Sequence, residues 1–557
     1  MRGQMMFQAL TTGSLIDHAA RYHAGTEIVS VATLGGVERT CWSEVSANAR
    51  RLASALDQLG VAAGARCGTI AWNNRRHLEI YFGVGAGGRV THTINPRLSP
   101  EHLIYIINDA ADEILFFDHT FLPFIPQLRP HLTTVKHYVL MGPRDEEASN
   151  TLDGLQFFDE LITSGDAQYT WPELDETTPA ALCYTSGTTG KPKGVLNSHR
   201  SLVLHALGGN QPDGTCISAR DSLLPVVPMF HVNAWGIPFI AAIAGARLVL
   251  PGPNLDGDSL LKLLTEEKVN VAFGVPTIWM GLLATLKSSG AQLPDLERSF
   301  VGGTALPPSM ISTFRDDYGV ELIHAWGMTE TTPIGTINMP LHKHGELPLE
   351  QQREIRHAQG RPIFGVELRV VDAEGNTLPN DGKSQGNLQV RGHWVIERYY
   401  SHDKNSLDKG GLDKEGKEEN TLTDDGWFDT GDIATLDENG YLIIRDRAKD
   451  IIKSGGEWIS TVDLENIAIA HPGVANAAAI AAWHPRWDER PVLVCVRAEG
   501  SDVEESQLLA DYEGKVAKWQ IPDRAIFVDA LPMSATGKVL KNRLRDEYGQ
   551  ILAEDRE

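Results

Sequence analysis

A chain of 557 residues is too long for one hydrophobic core, and its 42% hydrophobic and 22% charged residues describe an ordinary globular protein of several domains or subdomains. Seventy-three acidic against 50 basic residues leave a net charge of −23. That excess argues against nucleic acid or an anionic membrane surface as partner, so an anionic substrate must be met by local positive groups. Cys41, Cys67, Cys183, Cys216 and Cys495 show no CxxC or metal-ligand spacing and read as buried thiols in a reducing compartment. The N-terminus MRGQMMFQAL lacks a signal-peptide apolar region, and no apolar run approaches membrane-spanning length; a cytoplasmic protein without membrane insertion is expected.

The first strong helical periodicity covers 44–59, with Val45, Ala49, Leu52, Ala53 and Leu56 on one face. Apolar runs at 68–72, 114–117, 247–250 and 269–273 predict short buried strands, and helices are predicted over 259–268 and 307–318. Strand–helix alternation of this extent predicts an α/β fold whose large N-terminal domain, 1–446, holds layered, mostly parallel sheets. From about 366 the pattern changes to short alternating strands at 368–372, 387–391 and 441–445, separated by turns such as GNT, DGK and ENG. A small β-rich subdomain over about 366–446 is expected. The polar, charged stretch 401–425 reads as an exposed loop or insertion. Beyond it, 447–557 predicts a mobile small α+β C-terminal domain. Its helix over 462–470 is opened by Ser460 and Asp463 at capping-box spacing, strands follow at 477–482 and 491–497, and a further helix lies around 505–519.

The densest chemistry is YTSGTTGKPKG at 184–194, where three glycines, one serine, three threonines and two lysines follow the apolar run 180–183. A strand feeding such a loop offers backbone N–H groups, hydroxyls and cationic heads to one anion, which is how a polyphosphate is held. It is not a Walker A loop: only two residues separate Gly187 from Gly190, and Pro192 follows Lys191. A flexible Gly/Thr linker is the alternative, and paired lysines behind an apolar strand disfavour it.

Six further motifs follow in order: PMFHVNAWG (228–236), VGGTALP (301–307), HAWGMTETT (324–332), GWFDTGD (426–432), RDRAKDIIKSGGEWIS (445–460) and PMSATGKVLK (532–541). Singly they are ordinary. His231 would be a structural histidine, Trp235 and Trp326 core aromatics, Asp432 a turn aspartate and Lys538 a solvated surface lysine. Together, in this order, they resemble the adenylate-forming superfamily of acyl-CoA synthetases, nonribosomal-peptide adenylation domains and beetle luciferases. The resemblance covers nearly the whole chain. HVNAWG and KSGGEWISTVDLEN are most similar to fatty-acid–CoA ligases of medium- and long-chain type, and SLIDHAARYH and AWNNRRHLEIYFGV to bacterial members that take a short thioether acid.

The resemblance implies an AMP-forming acid–thiol ligase that uses ATP, Mg²⁺ and coenzyme A. A carboxylic acid and ATP give an acyl-adenylate and pyrophosphate, and the CoA thiol then displaces AMP. It further implies that Thr185, Ser186, Gly187, Thr188, Thr189, Gly190, Lys191 and Lys193 hold the β and γ phosphates. Gly303, His324, Ala325, Trp326, Gly327, Met328 and Thr329 would line the adenine and α-phosphate pocket. Asp432 would take the ribose hydroxyls with Arg447 in support, and Mg²⁺ would sit near Thr185 and Glu330. Lys538 would reach the bridging oxygen, with His231 and Glu330 completing the catalytic set. His231, Trp235, Val275, Pro276 and Gly303 would form the acyl pocket. Lys449, Lys453 and Trp458 would also belong to the nucleotide-binding set, and Lys449 would be the hinge about which Lys538 leaves and the segment from Lys453 to Trp458 arrives, bringing Ser454, Gly455 and Gly456 to CoA.

Two departures stand out. The superfamily often has tyrosine where Trp326 stands, so the stacking face is kept and a phenol hydroxyl lost, and it often has a small polar residue near His324. Trp235 could gate a long tunnel or close a short pocket, and both acid classes stay open. A non-CoA acceptor and a nucleotide-binding regulatory protein that has lost catalysis are the remaining alternatives; Lys538, Glu330, Asp432 and the complete phosphate loop argue against the second. A homodimer formed through the large domain is expected.

Overall fold

The computed structural model describes residues 3–185, 191–401, 421–455, 457–534 and 538–553, and their strands form four sheets. A seven-stranded sheet runs Gln156–Phe157, His137–Leu140, Asp112–Phe117, Arg66–Ile70, Val90–Thr93, Pro179–Tyr184, Gly194–Ser198. All its neighbours are parallel except the last pair, so the chain doubles back across 185–193. A nine-stranded sheet is parallel from Glu27–Val31 to Glu321–Gly327 and antiparallel at both ends. Inner strands such as Val90–Thr93 and Val271–Gly274 are buried on both faces, as parallel sheets covered by helices require.

Helix Trp42–Gln58 buries the five residues expected from its periodicity and packs on helix Arg75–Ala86. A Cβ on Gly83 would stand 2.7 Å from the Ala49 carbonyl oxygen, so the closeness of these two helices depends on glycine there. The three strands expected in the β-rich region are found at Val366–Val371, Gly386–Gly392 and Leu442–Arg447, and a fourth that the pattern did not announce, Phe428–Leu436, completes one antiparallel sheet with them. Beyond it lies a small lobe. The hairpin Ile452–Ser454/Glu457–Ile459 joins the long pair Val474–His484/Asp488–Arg497 and strand Arg524–Val528, covered by helices Thr461–Ile469 and Lys541–Tyr548. Ser460 caps the first helix, its Oγ accepting from Asp463 N at 3.1 Å.

Two expectations fail. Cys67, Cys183 and Cys495 are buried as expected, but Cys216 is exposed and Cys41 half-buried. The helix around 505–519 stops as Glu505–Ala510, because Tyr512 turns inward to donate its hydroxyl to the Leu464 carbonyl at 2.6 Å and Gly514 adopts φ +76. Most of the polar stretch 401–425 lies outside the described residues; at its end Asp425 is paired with Arg369 at 2.6 Å.

Candidate active site

The antiparallel return after Tyr184 makes a narrow neck. Thr185 N donates to the Lys193 carbonyl at 2.9 Å, and Lys193 N donates to Thr185 Oγ1 at 3.2 Å. Tyr184 is anchored from below by its hydroxyl on Asp109 at 2.6 Å. Lys191 and Lys193 stand at the mouth, each ammonium 4.8 Å from a ring centroid, of Tyr105 and Tyr399 respectively. Ser186, Gly187, Thr188, Thr189 and Gly190 lie outside the described residues.

Strand Glu321–Gly327 delivers His324, Ala325 and Trp326 side by side. Burial pushes the His324 imidazole down to about 4, so it is neutral, with Nδ1 3.3 Å from the His357 carbonyl oxygen. The Trp326 indole lies against Gly335, where any Cβ would overlap the ring. Its Nε1–H donates to Asp432 Oδ2 at 3.1 Å. Asp432 sits opposite Arg447 across two strands and pairs with it at 2.9 Å, while Arg447 also donates to the Thr430 carbonyl at 3.1 Å. Burial holds the Asp432 carboxyl above the usual range, opposed by the Arg447 charge. Gly327 and Met328 lead into the turn Thr329–Thr331, which buries Thr329 and Glu330; the Tyr399 hydroxyl donates to Glu330 Oε1 at 2.7 Å.

The small lobe closes this ring of groups. Desolvation pushes the Lys538 ammonium down to about 8, with Arg447 adding to the fall and Asp432 and Glu330 resisting it. His231 is held at about 4, first by burial and then by the Lys538 charge. Lys538, Asp432, Glu330, Arg447 and His231 therefore share one electrostatic neighbourhood, although they come from five separate motifs. Lys449 acts on Lys538 from the linker. The segment from Lys453 to Trp458 is held differently. Its hairpin is tied into the small lobe by Lys453 N on Glu489 at 2.7 Å and Gly455 N on the Trp487 carbonyl at 2.9 Å. Ser454 lies beside Arg490 of the same lobe, Trp458 is 41% exposed, and Gly456 lies outside the described residues. Two bonds span the linker: Ser460 Oγ to the Arg445 carbonyl at 2.6 Å, and Thr461 N to Asp446 Oδ2 at 2.7 Å.

On the other side of His231, residues Val232 to Gly236 all carry positive φ, at 46°, 52°, 47°, 56° and 74°. Four non-glycine residues in succession form a turn of left-handed helix, a conformation that costs L-residues roughly 1–2 kcal/mol each. The turn aims the Trp235 ring at Gly302, where a Cβ would stand 3.4 Å from the indole and 2.7 Å from the Ala325 carbonyl oxygen. Gly303 at φ +86 lies against Val275, and Pro276 opens helix Pro276–Ser289. An aromatic wall, two glycines and aliphatic neighbours thus lie beside Ala325 and its strand.

Tyr399, Tyr105 and Gly335 were not among the residues singled out from sequence. The only local trace of Tyr399 is a tyrosine pair directly before the polar stretch. Among the described residues no group of three or more His, Cys, Asp or Glu could hold a metal ion. Glu330 and Thr185 offer hard oxygen donors only, which fits Mg²⁺, an ion that takes most of its shell from phosphates and water. No helix among the described residues is long and apolar enough to cross a membrane.

Comparison with known proteins gives one consistent answer. The family model "AMP-binding enzyme" matches residues 16–400, and "AMP-binding enzyme C-terminal domain" matches 463–538. The chain is 58% identical to a 3-methylmercaptopropionyl-CoA ligase of Ruegeria pomeroyi, covering 99% of this chain and 100% of the relative. It is 54% identical to a medium-chain-fatty-acid–CoA ligase of Ectopseudomonas oleovorans, over 99% and 98% of the two chains. In fold it resembles the crystal structure of an anthranilate CoA ligase in complex with anthranoyl-AMP, with a TM-score of 0.85, 24% identity and full coverage of both chains.

Proposed function

The chain belongs to the AMP-binding enzymes and is an AMP-forming acid–thiol ligase, and on that premise we propose that its acid is short or medium in length, 3-methylmercaptopropionate or a close analogue. Its strongest support is the likeness to ligases of that acid, together with the electrostatic neighbourhood that Lys538 shares with Asp432 and Glu330. That neighbourhood suits the first half-reaction. A carboxylate oxygen bonds to the α-phosphorus of ATP as the bond to pyrophosphate breaks.

Two anions must approach each other for this step, so their repulsion has to be offset. Lys191 and Lys193 flank the loop that holds the β and γ phosphates, with Thr185 and the residues 186–190 as hydrogen-bond donors. Mg²⁺ at Glu330 and Thr185 would neutralise phosphate charge. Asp432, fixed by Trp326 and Arg447, accepts from the ribose hydroxyls, and Gly303, His324, Ala325, Gly327, Met328 and Thr329 border the adenine and α-phosphate. Lys538 stabilises the charge that grows on the bridging oxygen, while neutral His231 lies between the acyl and nucleotide sides. In the second half-reaction the CoA sulfur loses its proton and bonds to the acyl carbon as the bond to AMP breaks. Rotation about Lys449 withdraws Lys538 and brings Lys453 to Trp458 alongside, with Ser454, Gly455 and Gly456 near CoA. The moving unit is 447–557, the fixed one 1–446, and the enzyme is a cytoplasmic homodimer.

His231, Trp235, Val275, Pro276 and Gly303 suit an uncharged tail. An apolar pocket discriminates by only about 1–3 kcal/mol per methylene, so neighbouring acids should also react. Purified protein with ATP, Mg²⁺ and CoA, offered 3-methylmercaptopropionate, butyrate, octanoate, palmitate and benzoate, decides the matter when acyl-CoA is read by mass. Preference for the first two acids is expected, with Trp235 closing a short pocket. Preference for octanoate or palmitate overturns the short-acid assignment and makes Trp235 the gate of a tunnel, the alternative that the 54% identity to a medium-chain ligase favours.

A further inference from the structure

One short segment ties together two parts of the site that the chain delivers separately. The Trp394 carbonyl accepts from Thr332 Oγ1 at 2.7 Å, and Ile396 N donates to the Glu330 carbonyl at 2.8 Å. Tyr400 N donates to the Gly194 carbonyl at 2.8 Å, at the foot of the phosphate-loop neck. Between those anchors, Tyr399 acts on both sides. Its hydroxyl donates to Glu330 Oε1 at 2.7 Å, and its ring carries the Lys193 ammonium 4.8 Å from the centroid. Glu330 is only 7% exposed, so the direction of its carboxylate is set by the donors around it. A hydroxyl bound to one carboxylate oxygen fixes the rotamer and leaves the other oxygen with a defined direction. An aromatic face beneath an ammonium localises a side chain that is otherwise a flexible four-carbon stem.

We propose that Tyr399 is a positioning residue for nucleotide activation, its hydroxyl orienting the Glu330 carboxylate toward the divalent cation of the nucleotide and its ring setting where Lys193 meets the polyphosphate. The proposal rests on Glu330 and Lys193 being nucleotide groups. Because hydroxyl and ring serve different partners, their effects separate. Tyr399→Phe keeps the ring and frees Glu330, whereas Tyr399→Leu loses both contacts.

The test is calorimetric titration of ATP into the full-length protein at a series of Mg²⁺ concentrations, without acid or CoA, so that nothing turns over. Glu330→Gln and Lys193→Ala serve as references. Tyr399→Phe should raise the Mg²⁺ concentration needed for half-maximal ATP binding roughly tenfold, the scale of losing a residue that orients a metal ligand. At saturating Mg²⁺ its ATP affinity should match the parent. Tyr399→Leu should show the same Mg²⁺ shift and, in addition, ATP binding weakened about threefold or more at saturating Mg²⁺. If Glu330→Gln shifts the Mg²⁺ dependence and Tyr399→Phe does not, the positioning role is wrong while the reading of Glu330 stands. If Glu330→Gln has no effect, that reading falls and the proposal falls with it. Phe and Leu variants with identical profiles would overturn the role of the ring. Should Tyr399→Leu fail to fold by circular dichroism, the isosteric Tyr399→Phe and the Lys193→Ala reference still decide both parts: Lys193→Ala must weaken ATP binding at saturating Mg²⁺, or the role of the ring is lost.

Discussion

Lys538 is desolvated within the electrostatic neighbourhood of Asp432 and Glu330, and that desolvation is the first reason its pKa falls to about 8; the Arg447 charge is the second. A lowered lysine pKa means the ammonium is present below about pH 8 and lost above it, well short of the ordinary 10.5. In the free enzyme, kcat/KM for adenylation, followed as acid-dependent pyrophosphate exchange, should be level below this value and decline above it. Thioester formation from supplied acyl-adenylate should not share the decline, since in the proposed cycle Lys538 serves the first step alone. By the same logic Lys538→Ala should slow adenylation by about 10²–10³-fold and leave the supplied-adenylate reaction largely intact. Equal loss in both would remove Lys538 from its proposed role. The candidate residues could be named from sequence because the motifs that hold them are short and local. Their partners could not: Trp326 and Asp432 lie 106 positions apart, and no local pattern announces that an indole N–H will meet that carboxylate.

At the scale of elements, hydrophobic periodicity served well where one face decides the structure. Strand Arg247–Leu250 and helix Trp42–Gln58 follow the expected spans to within two residues, since an apolar run or stripe has only one way to leave water. The pattern at 505–519 misled because Tyr512 is buried against another helix, a contact from outside the segment. The left-handed turn Val232–Gly236 was equally invisible, as Val, Asn, Ala and Trp favour other conformations. It persists because its neighbours over-determine it. Gly236 has φ +74, and a Cβ there would stand 2.7 Å from the His205 ring. Gly236→Ala should therefore destabilise the protein by about 2–3 kcal/mol, from left-handed strain plus overpacking, as measured by urea unfolding. A loss below about 0.5 kcal/mol, the size of an ordinary surface change, would show that the turn is not a rigid support for Trp235.

Across the whole molecule, the small lobe is held over the nucleotide-side residues by contacts that straddle Lys449. Asp446 accepts from Thr461 N, and Ser460 donates to the Arg445 carbonyl. A rotation about Lys449 must break both bonds, so the arrangement with Lys538 inward is a distinct state with its own stabilising contacts. Proline at 449 restricts φ there and also confines Ala448. Lys449→Pro should keep pyrophosphate exchange within a few-fold of the parent yet lower overall acyl-CoA formation at least tenfold. An unchanged overall rate would exclude Lys449 as the hinge.

Composition, periodicity and short motifs were enough to expect an α/β fold with a small C-terminal lobe and an anion-holding loop, because each of these is written in residues close together along the chain; the acyl-CoA ligase class came from the resemblance of the ordered set of motifs to a known superfamily. Folding in three dimensions settled how those pieces meet. It put Lys538 within the electrostatic reach of Asp432 and Glu330, set Tyr399 between Glu330 and Lys193, and turned Trp235 toward Gly302. Such pairings depend on burial and on charge across hundreds of residues, and a desolvated ion or an overlapping Cβ has consequences only once the neighbour that excludes the water is in place.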